Sequence, residues 1–225
     1  MLLHYRPDKR PRRHDLVFVT RQGWHAALES HSELVTDPLV AEWIRKGWPL
    51  VARRNMPGEP YGVPLGLPLP PFAGKRRIAL VMQPEAIVSV ASPVELGAVS
   101  RVAPHAWRNT LSRLRLLAAQ HAVTPRVCGS LAWQALTGMD YVTAESDLDV
   151  LMYVGSKVDA LRLLAGMARI EARAPMRVDG ELVREDGAAV NWRELRGGAR
   201  EVLLKSVGSI DLVHPQSFLS RNLNS

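Results

Sequence analysis

The spacing of apolar positions along the chain changes repeatedly, and each change marks an element. His14-Asp15 leads into Leu16-Val17-Phe18-Val19, a run that reads as a strand. Residues 22–46 follow a helical spacing with a break near Asp37-Pro38. Pro49-Leu50-Val51-Ala52-Arg53-Arg54 reads as a short strand ending in two arginines. Residues 55–74 are apolar but dense in Pro and Gly. Proline fixes φ and lacks a backbone donor, so this stretch is expected to be a packed, extended loop and not a helix or a central strand. Arg77-Ile78-Ala79-Leu80-Val81-Met82 resumes as a strand.

A composition change near residues 91–105 suggests a boundary, with lobes expected at 1–100 and 101–225. Leu111, Leu114, Leu117 and Ala118 then keep helical spacing. Strands are expected at 126–128, 148–154, 176–183, 188–192 and 201–205, with helices at 130–137 and 157–171. This pattern predicts an α/β (α+β) protein. Its C-terminal part is a mixed sheet with helices on one face, and a smaller α+β lobe precedes it. Ligand pockets commonly form between lobes, and the site is expected there.

Composition narrows the partner classes. No stretch reaches the roughly 18 uninterrupted apolar residues of a membrane helix. Met1-Leu2-Leu3-His4-Tyr5-Arg6 lacks the long apolar core of a secretory leader. The single cysteine, Cys128, fits a reducing cytoplasm and reads as an inert core thiol. The net charge of +7 and pI near 10.1 point to an anionic partner: nucleic acid, a phosphate-rich small molecule or an acidic protein. The seven histidines form no i, i+4 pair, so no zinc site is expected.

The chemistry lies in Val127-Cys128-Gly129-Ser130-Leu131-Ala132-Trp133-Gln134 and in Ser146-Asp147-Leu148-Asp149-Val150-Leu151-Met152-Tyr153-Val154. A strand ends in Gly129-Ser130 and a helix starts at once. Glycine allows close backbone approach, and free N–H groups at a helix start suit phosphate. Trp133 on that helix reads as core packing. Asp147 and Asp149 are two apart, so strand geometry points both carboxylates to one face. Aligned carboxylates repel, which favours a bound cation such as Mg²⁺. An isolated Asp-x-Asp also fits a solvated strand edge; Gly-Ser at a turn followed by Asp-x-Asp on an apolar strand is far more specific.

That combination resembles the nucleotidyltransferase superfamily related to DNA polymerase β. The resemblance implies that Gly-Ser contacts a triphosphate, that the acidic pair holds two metals, and that a third carboxylate comes from a later strand. Val178-Asp179-Gly180-Glu181-Leu182 offers Asp179, slightly preferred, or Glu181. Asp179-Gly180 is also a common hairpin turn.

A narrower resemblance covers nearly the whole chain, to the malonate decarboxylase holo-acyl-carrier-protein synthases, the phosphoribosyl-dephospho-CoA transferases. It rests on Arg13-His14-Asp15-Leu16-Val17, Trp48-Pro49-Leu50-Val51-Ala52-Arg53-Arg54, Leu65-Gly66-Leu67-Pro68-Leu69-Pro70-Pro71 and Gly74-Lys75-Arg76-Arg77. It continues through Gly129-Ser130-Leu131-Ala132-Trp133-Gln134, Ser146-Asp147-Leu148-Asp149, Asp179-Gly180-Glu181-Leu182, Asn191-Trp192-Arg193-Glu194-Leu195 and Leu203-Leu204-Lys205-Ser206. Asn191 stands where an apolar residue is expected. The resemblance implies a donor, 2′-(5″-triphosphoribosyl)-3′-dephospho-CoA, and an acceptor serine on the apo acyl-carrier subunit of malonate decarboxylase. Asp147 and Asp149, with Asp179 or Glu181, would hold two Mg²⁺ ions about 4 Å apart. Ser130 would bind a phosphate. Lys205, which could equally be a solvated lysine, would meet the departing pyrophosphate. Arg53 or Arg54 would grip donor phosphates or the acidic carrier; strand alternation makes one of the two structural. The basic N-terminal lobe is the expected carrier contact.

Two other readings compete. One is a nucleotidyltransferase using ATP and another hydroxyl acceptor. The other is a basic nucleic-acid-binding module, which lacks an aromatic-basic sheet and gives no reason for the acidic pair.

Overall fold

In the computed structural model, which describes residues 3–5, 10–206 and 209–220, the chain divides into a unit Met1–Pro93 and a unit Val94–Ser225. Met1, Leu2 and Arg6 of the segment considered for a leader lie outside the described residues.

The first unit contains β1 (Leu16–Val19), α1 (Arg21–Glu29), α2 (Pro38–Lys46), β2 (Leu50–Ala52), β3 (Val63–Pro68), β4 (Arg77–Met82) and β5 (Ile87–Ala91). Capping side chains decide where its helices begin. Thr20 accepts from the Gly23 N–H at 3.0 Å, and Asp37 accepts from Leu39 at 2.9 Å with Pro38 just inside α2. The strands form one antiparallel sheet ordered β4-β3-β2-β1-β5.

β3 corrects the expectation of a loop over 55–74. It is an interior strand despite Pro64 and Pro68. The Pro64 carbonyl accepts from the Arg53 N–H at 3.1 Å, so the polar edge of Pro64 is turned toward β2. Pro68, four residues on, has the same orientation. β2 pairs with β3 only at Leu65 and Gly66. The missing proline donors therefore fall beyond the β2 ladder, while Val63, Leu65 and Leu67 keep the N–H groups that face β4.

The second unit contains β6 (Val94–Glu95), α3 (Arg108–Gln120), β7 (Thr124–Val127), α4 (Gly129–Thr137), β8 (Leu148–Tyr153), α5 (Ala160–Glu171), β9 (Val178–Val183), β10 (Ala189–Asn191), α6 (Trp192–Arg196), β11 (Val202–Lys205), β12 (Ile210–Val213) and α7 (Pro215–Ser220). Its sheet is ordered β12-β11-β10-β9-β8-β7-β6. Among the described strands, β8 and β9 are the parallel pair, which requires a crossover, and α5 provides it.

Register sorts the side chains of this sheet. Asp149 pairs with Asp179, Leu151 with Glu181, Glu181 with Asn191, and Ala189 with Lys205. With period 2, Asp149, Asp179, Glu181, Asn191 and Lys205 share one face. Leu148, Val150, Met152, Val178, Leu182 and Val190 occupy the other and are fully buried. Helices α3 and α5 bring matching apolar residues: Leu111, Leu114, Leu117 and Ala118 from one, Leu163, Leu164 and Met167 from the other. The protein is thus α+β, with helices and two sheets. Asp179-Gly180 is not a hairpin turn; β9 runs straight through it. Glycine is needed at 180 because a Cβ would lie 2.6 Å from the Val150 carbonyl oxygen on the neighbouring strand.

Candidate active site

Gly129 opens α4 in the left-handed region, at φ +64°. A Cβ there would lie 1.8 Å from Asp149 Oδ2. The glycine therefore makes room for a carboxylate of the protein itself, pressed against the start of α4. The Cys128 N–H donates to the Asp149 carbonyl at 3.1 Å, which holds the strand end to β8. Cys128 occupies the N-cap but makes no capping bond with its side chain. Its sulfur packs near Leu151, Val183 and Ala189. Ser130 is half-buried in the first turn, and Trp133 faces the core as expected.

Asp147, just before β8, and Asp149 and Asp179 bring one oxygen each to within 4.8 Å of one another. All three are half-buried. An all-oxygen set of this kind suits a hard divalent cation. Asp179 is the residue that joins the pair. Glu181 is instead held by Lys205, Nζ to Oε1 2.8 Å, with both side chains mostly buried.

Neighbouring residues fix the Asp179 carboxylate. Its Oδ1 accepts from Gly180 N–H at 3.0 Å, from Asn191 Nδ2 at 3.0 Å and from Arg193 Nη1 at 3.4 Å. Asn191 also caps α6, its Oδ1 accepting from the Arg193 N–H at 2.9 Å. Arg193 stacks over the Trp192 ring at 4.9 Å and forms a second ion pair with Glu171. Burial pushes the Arg193 pKa down from its usual value, against the opposing pull of the Asp147 charge. Glu171, at the end of α5, also accepts from the Val178 N–H at 3.2 Å. A chain of partners thus links the crossover helix to the acidic trio.

Comparisons with known proteins agree along the chain. Residues 12–93 match the family described as phosphoribosyl-dephospho-CoA transferase MdcG N-terminal domain, and residues 95–216 match the corresponding C-terminal domain. The chain belongs to this family. It is 52% identical over 213 residues to a phosphoribosyl-dephospho-CoA transferase of Bradyrhizobium diazoefficiens, covering 95% of this chain and 94% of that one. It is 40% identical over 196 residues to the transferase of Xanthomonas euvesicatoria pv. vesicatoria, covering 86% and 90%. No solved structure matches it. Like its relatives, the family member described here is a transferase.

The expected site residues separate accordingly. Gly129, Ser130, Asp147, Asp149 and Asp179 lie together at the start of α4 and the leading ends of β8 and β9. Lys205 reaches the same face but is taken up by Glu181. Arg53 belongs to the first unit, where all five of its N–H donors have acceptors. Nε donates to Leu65 O, Nη1 to Arg54 O and Glu59 Oε2, and Nη2 to Glu59 Oε1 and Leu80 O. It clamps the β2–β3 end, with its donors taken up by acceptors of its own unit. Sequence reasoning missed Asn191, Arg193 and Glu171. The signal at hand was Asn191 itself, a polar residue at an apolar-looking position. No helix among the described residues is long and apolar enough to cross a membrane.

Proposed function

We propose that the protein transfers the phosphoribosyl-dephospho-CoA group from 2′-(5″-triphosphoribosyl)-3′-dephospho-CoA to a serine of the apo acyl-carrier subunit of malonate decarboxylase. The carrier serine oxygen bonds to the α-phosphorus, the bond from that phosphorus to the pyrophosphate oxygen breaks, the serine proton departs, and pyrophosphate leaves. The observation that carries this reading is the convergence of Asp147, Asp149 and Asp179 in a member of this transferase family. Those carboxylates would hold two Mg²⁺ ions, which supply positive charge that polyphosphate chemistry needs. Gly129 keeps the start of α4 against Asp149, and Ser130 and the adjacent N–H groups bind phosphate oxygens. Asn191 and Arg193 keep Asp179 aimed. Lys205 balances Glu181 and so keeps that carboxylate out of the trio. A charged, phosphorylated donor and a single cysteine fit work in the cytoplasm.

Incubating the protein with the apo carrier subunit, the triphosphoribosyl donor and Mg²⁺ tests this directly. A mass gain on the carrier equal to the phosphoribosyl-dephospho-CoA group, with pyrophosphate released, is expected. An adenylyl mass gain from ATP, or an unmodified carrier, would overturn the assignment.

A further inference from the structure

We propose that the outer groove between α3 and α5 docks an acidic amphipathic helix of the acceptor protein, an inference that rests on the proposed transfer to a protein serine. Two parallel stripes line this groove: Arg113, Leu116, Leu117 and Gln120 from α3, and Gly166, Arg169, Ile170 and Arg173 along and just beyond α5. Each stripe follows i, i+3, i+4, i+7, so each is one continuous helix face. The groove is shallow, about 260 Å³. Gly166 sets its depth, since a Cβ there would lie 2.4 Å from a Leu117 methyl.

The floor is apolar and the rim is cationic. Leu116, one of the lining residues, is 63% exposed. Arg113, Arg169 and Arg173 are exposed around it. No carboxylate opposes them within the stripes. α3 contains no Asp or Glu, and the one acid of α5, Glu171, is bound to Arg193 and the Val178 N–H. An apolar floor ringed by positive charge complements a helix with apolar anchors and an acidic border. A second copy of this chain would bring arginine against arginine. Nucleic acid would leave Leu116 and Ile170 without a purpose, and the groove has no aromatic ring for bases to stack on.

Position gives the groove a role in the reaction. Arg173 lies two residues beyond the end of α5, where Glu171 reaches both Val178 of β9 and Arg193. Arg193 in turn touches Asp179. The Arg173 end of the groove therefore lies at the end of the sheet where the trio gathers, and a helix seated there brings its flanking loop toward that end.

The test uses the full chain with Arg113, Arg169 and Arg173 all changed to Glu, and separately Leu116→Asp. All four positions are exposed, and the folded state is checked by thermal melting. The KM for the apo carrier subunit is expected to rise at least about tenfold in each variant, with kcat at saturating carrier and the donor KM unchanged. The carrier KM of the wild type should rise with ionic strength, and that of the triple variant should be nearly flat. A wild type that modifies the carrier while both variants keep its KM overturns the groove assignment alone. So does an unchanged carrier KM accompanied by lost binding of a DNA duplex. A wild type that modifies no carrier overturns the proposed reaction and this partner together.

Discussion

The Asp149 carboxylate fills the space that a side chain at Gly129 would need. One residue supplies a carboxylate and the other the vacancy that receives it, so neither can change alone. In Gly129→Ala the methyl would collide with Oδ2, and alanine would be held at φ +64° at a cost of about 1–2 kcal/mol. The Asp149 side chain must swing aside. Transfer activity is expected to fall by more than about a hundredfold while the melting temperature drops by only a few degrees. Activity near wild type would show that Asp149 is not needed where it stands.

Asp147→Asn, Asp149→Asn and Asp179→Asn each remove a charge from the trio. Each is expected to weaken Mg²⁺ binding, measured by titration calorimetry, and to lower kcat by roughly a thousandfold. Chelation of divalent ions should abolish transfer by the wild type, and added Mg²⁺ should restore it. Glu181→Gln removes a carboxylate from the same face and should leave the metal affinity within about threefold, since Glu181 is matched by Lys205.

Asn191 and Arg193 hold the carboxylate of Asp179 without belonging to the trio. Asn191→Ala is expected to cost about 10–100-fold in Mg²⁺ affinity, because outer partners orient metal ligands. Raising Mg²⁺ should recover most of the lost rate. A loss that Mg²⁺ cannot rescue would mean that Asn191 serves only as the cap of α6.

Lys205→Met should act mainly on stability. It leaves Glu181 mostly buried without its ammonium partner, a cost of about 1–3 kcal/mol. A thermal melt checks this, and Lys205→Met with Glu181→Leu should recover much of it. A normal melt with a large rise in the donor KM would instead assign Lys205 to the phosphates.

Acid should loosen the first unit through Glu59. The hydrogen bond from Arg53, with one from the Met56 N–H, holds the Glu59 carboxyl below its ordinary 4.5. A lowered folded-state pKa means that the stabilisation is present above 4.5 and is lost as pH falls through the folded value. Melting temperature between pH 5 and pH 3 should therefore fall less steeply for Glu59→Gln than for the wild type.

Local signals made much of this legible. The apolar run Val150-Leu151-Met152 and the i, i+2 pair Asp147 and Asp149 identify β8 and its acidic end without any distant contact. Asp179 and Glu181 stayed ambiguous because period 2 puts both on one face. What separates them is Lys205, two strands away, and no spacing rule reaches that far. The prolines of β3 mislead for a related reason: a missing donor matters only where a partner strand exists, and β2 is too short to reach them. Asn191 reads as a misplaced polar residue until the start of α6 and the carboxylate of Asp179 are both beside it. Arg53 reads as a phosphate ligand until its acceptors, spread over residues 54 to 80, are seen.

The parallel pairing of β8 and β9 also dictates when the site comes into being. Asp149 and Asp179 meet only when β9 has paired with β8 across the α5 crossover, so the trio depends on a contact of high sequence separation. A nascent chain that has made β8 but not β9 holds two repelling acids and no third. Metal capture would then mark the completion of folding in this half, and a divalent ion should slow its unfolding while leaving the refolding rate unchanged.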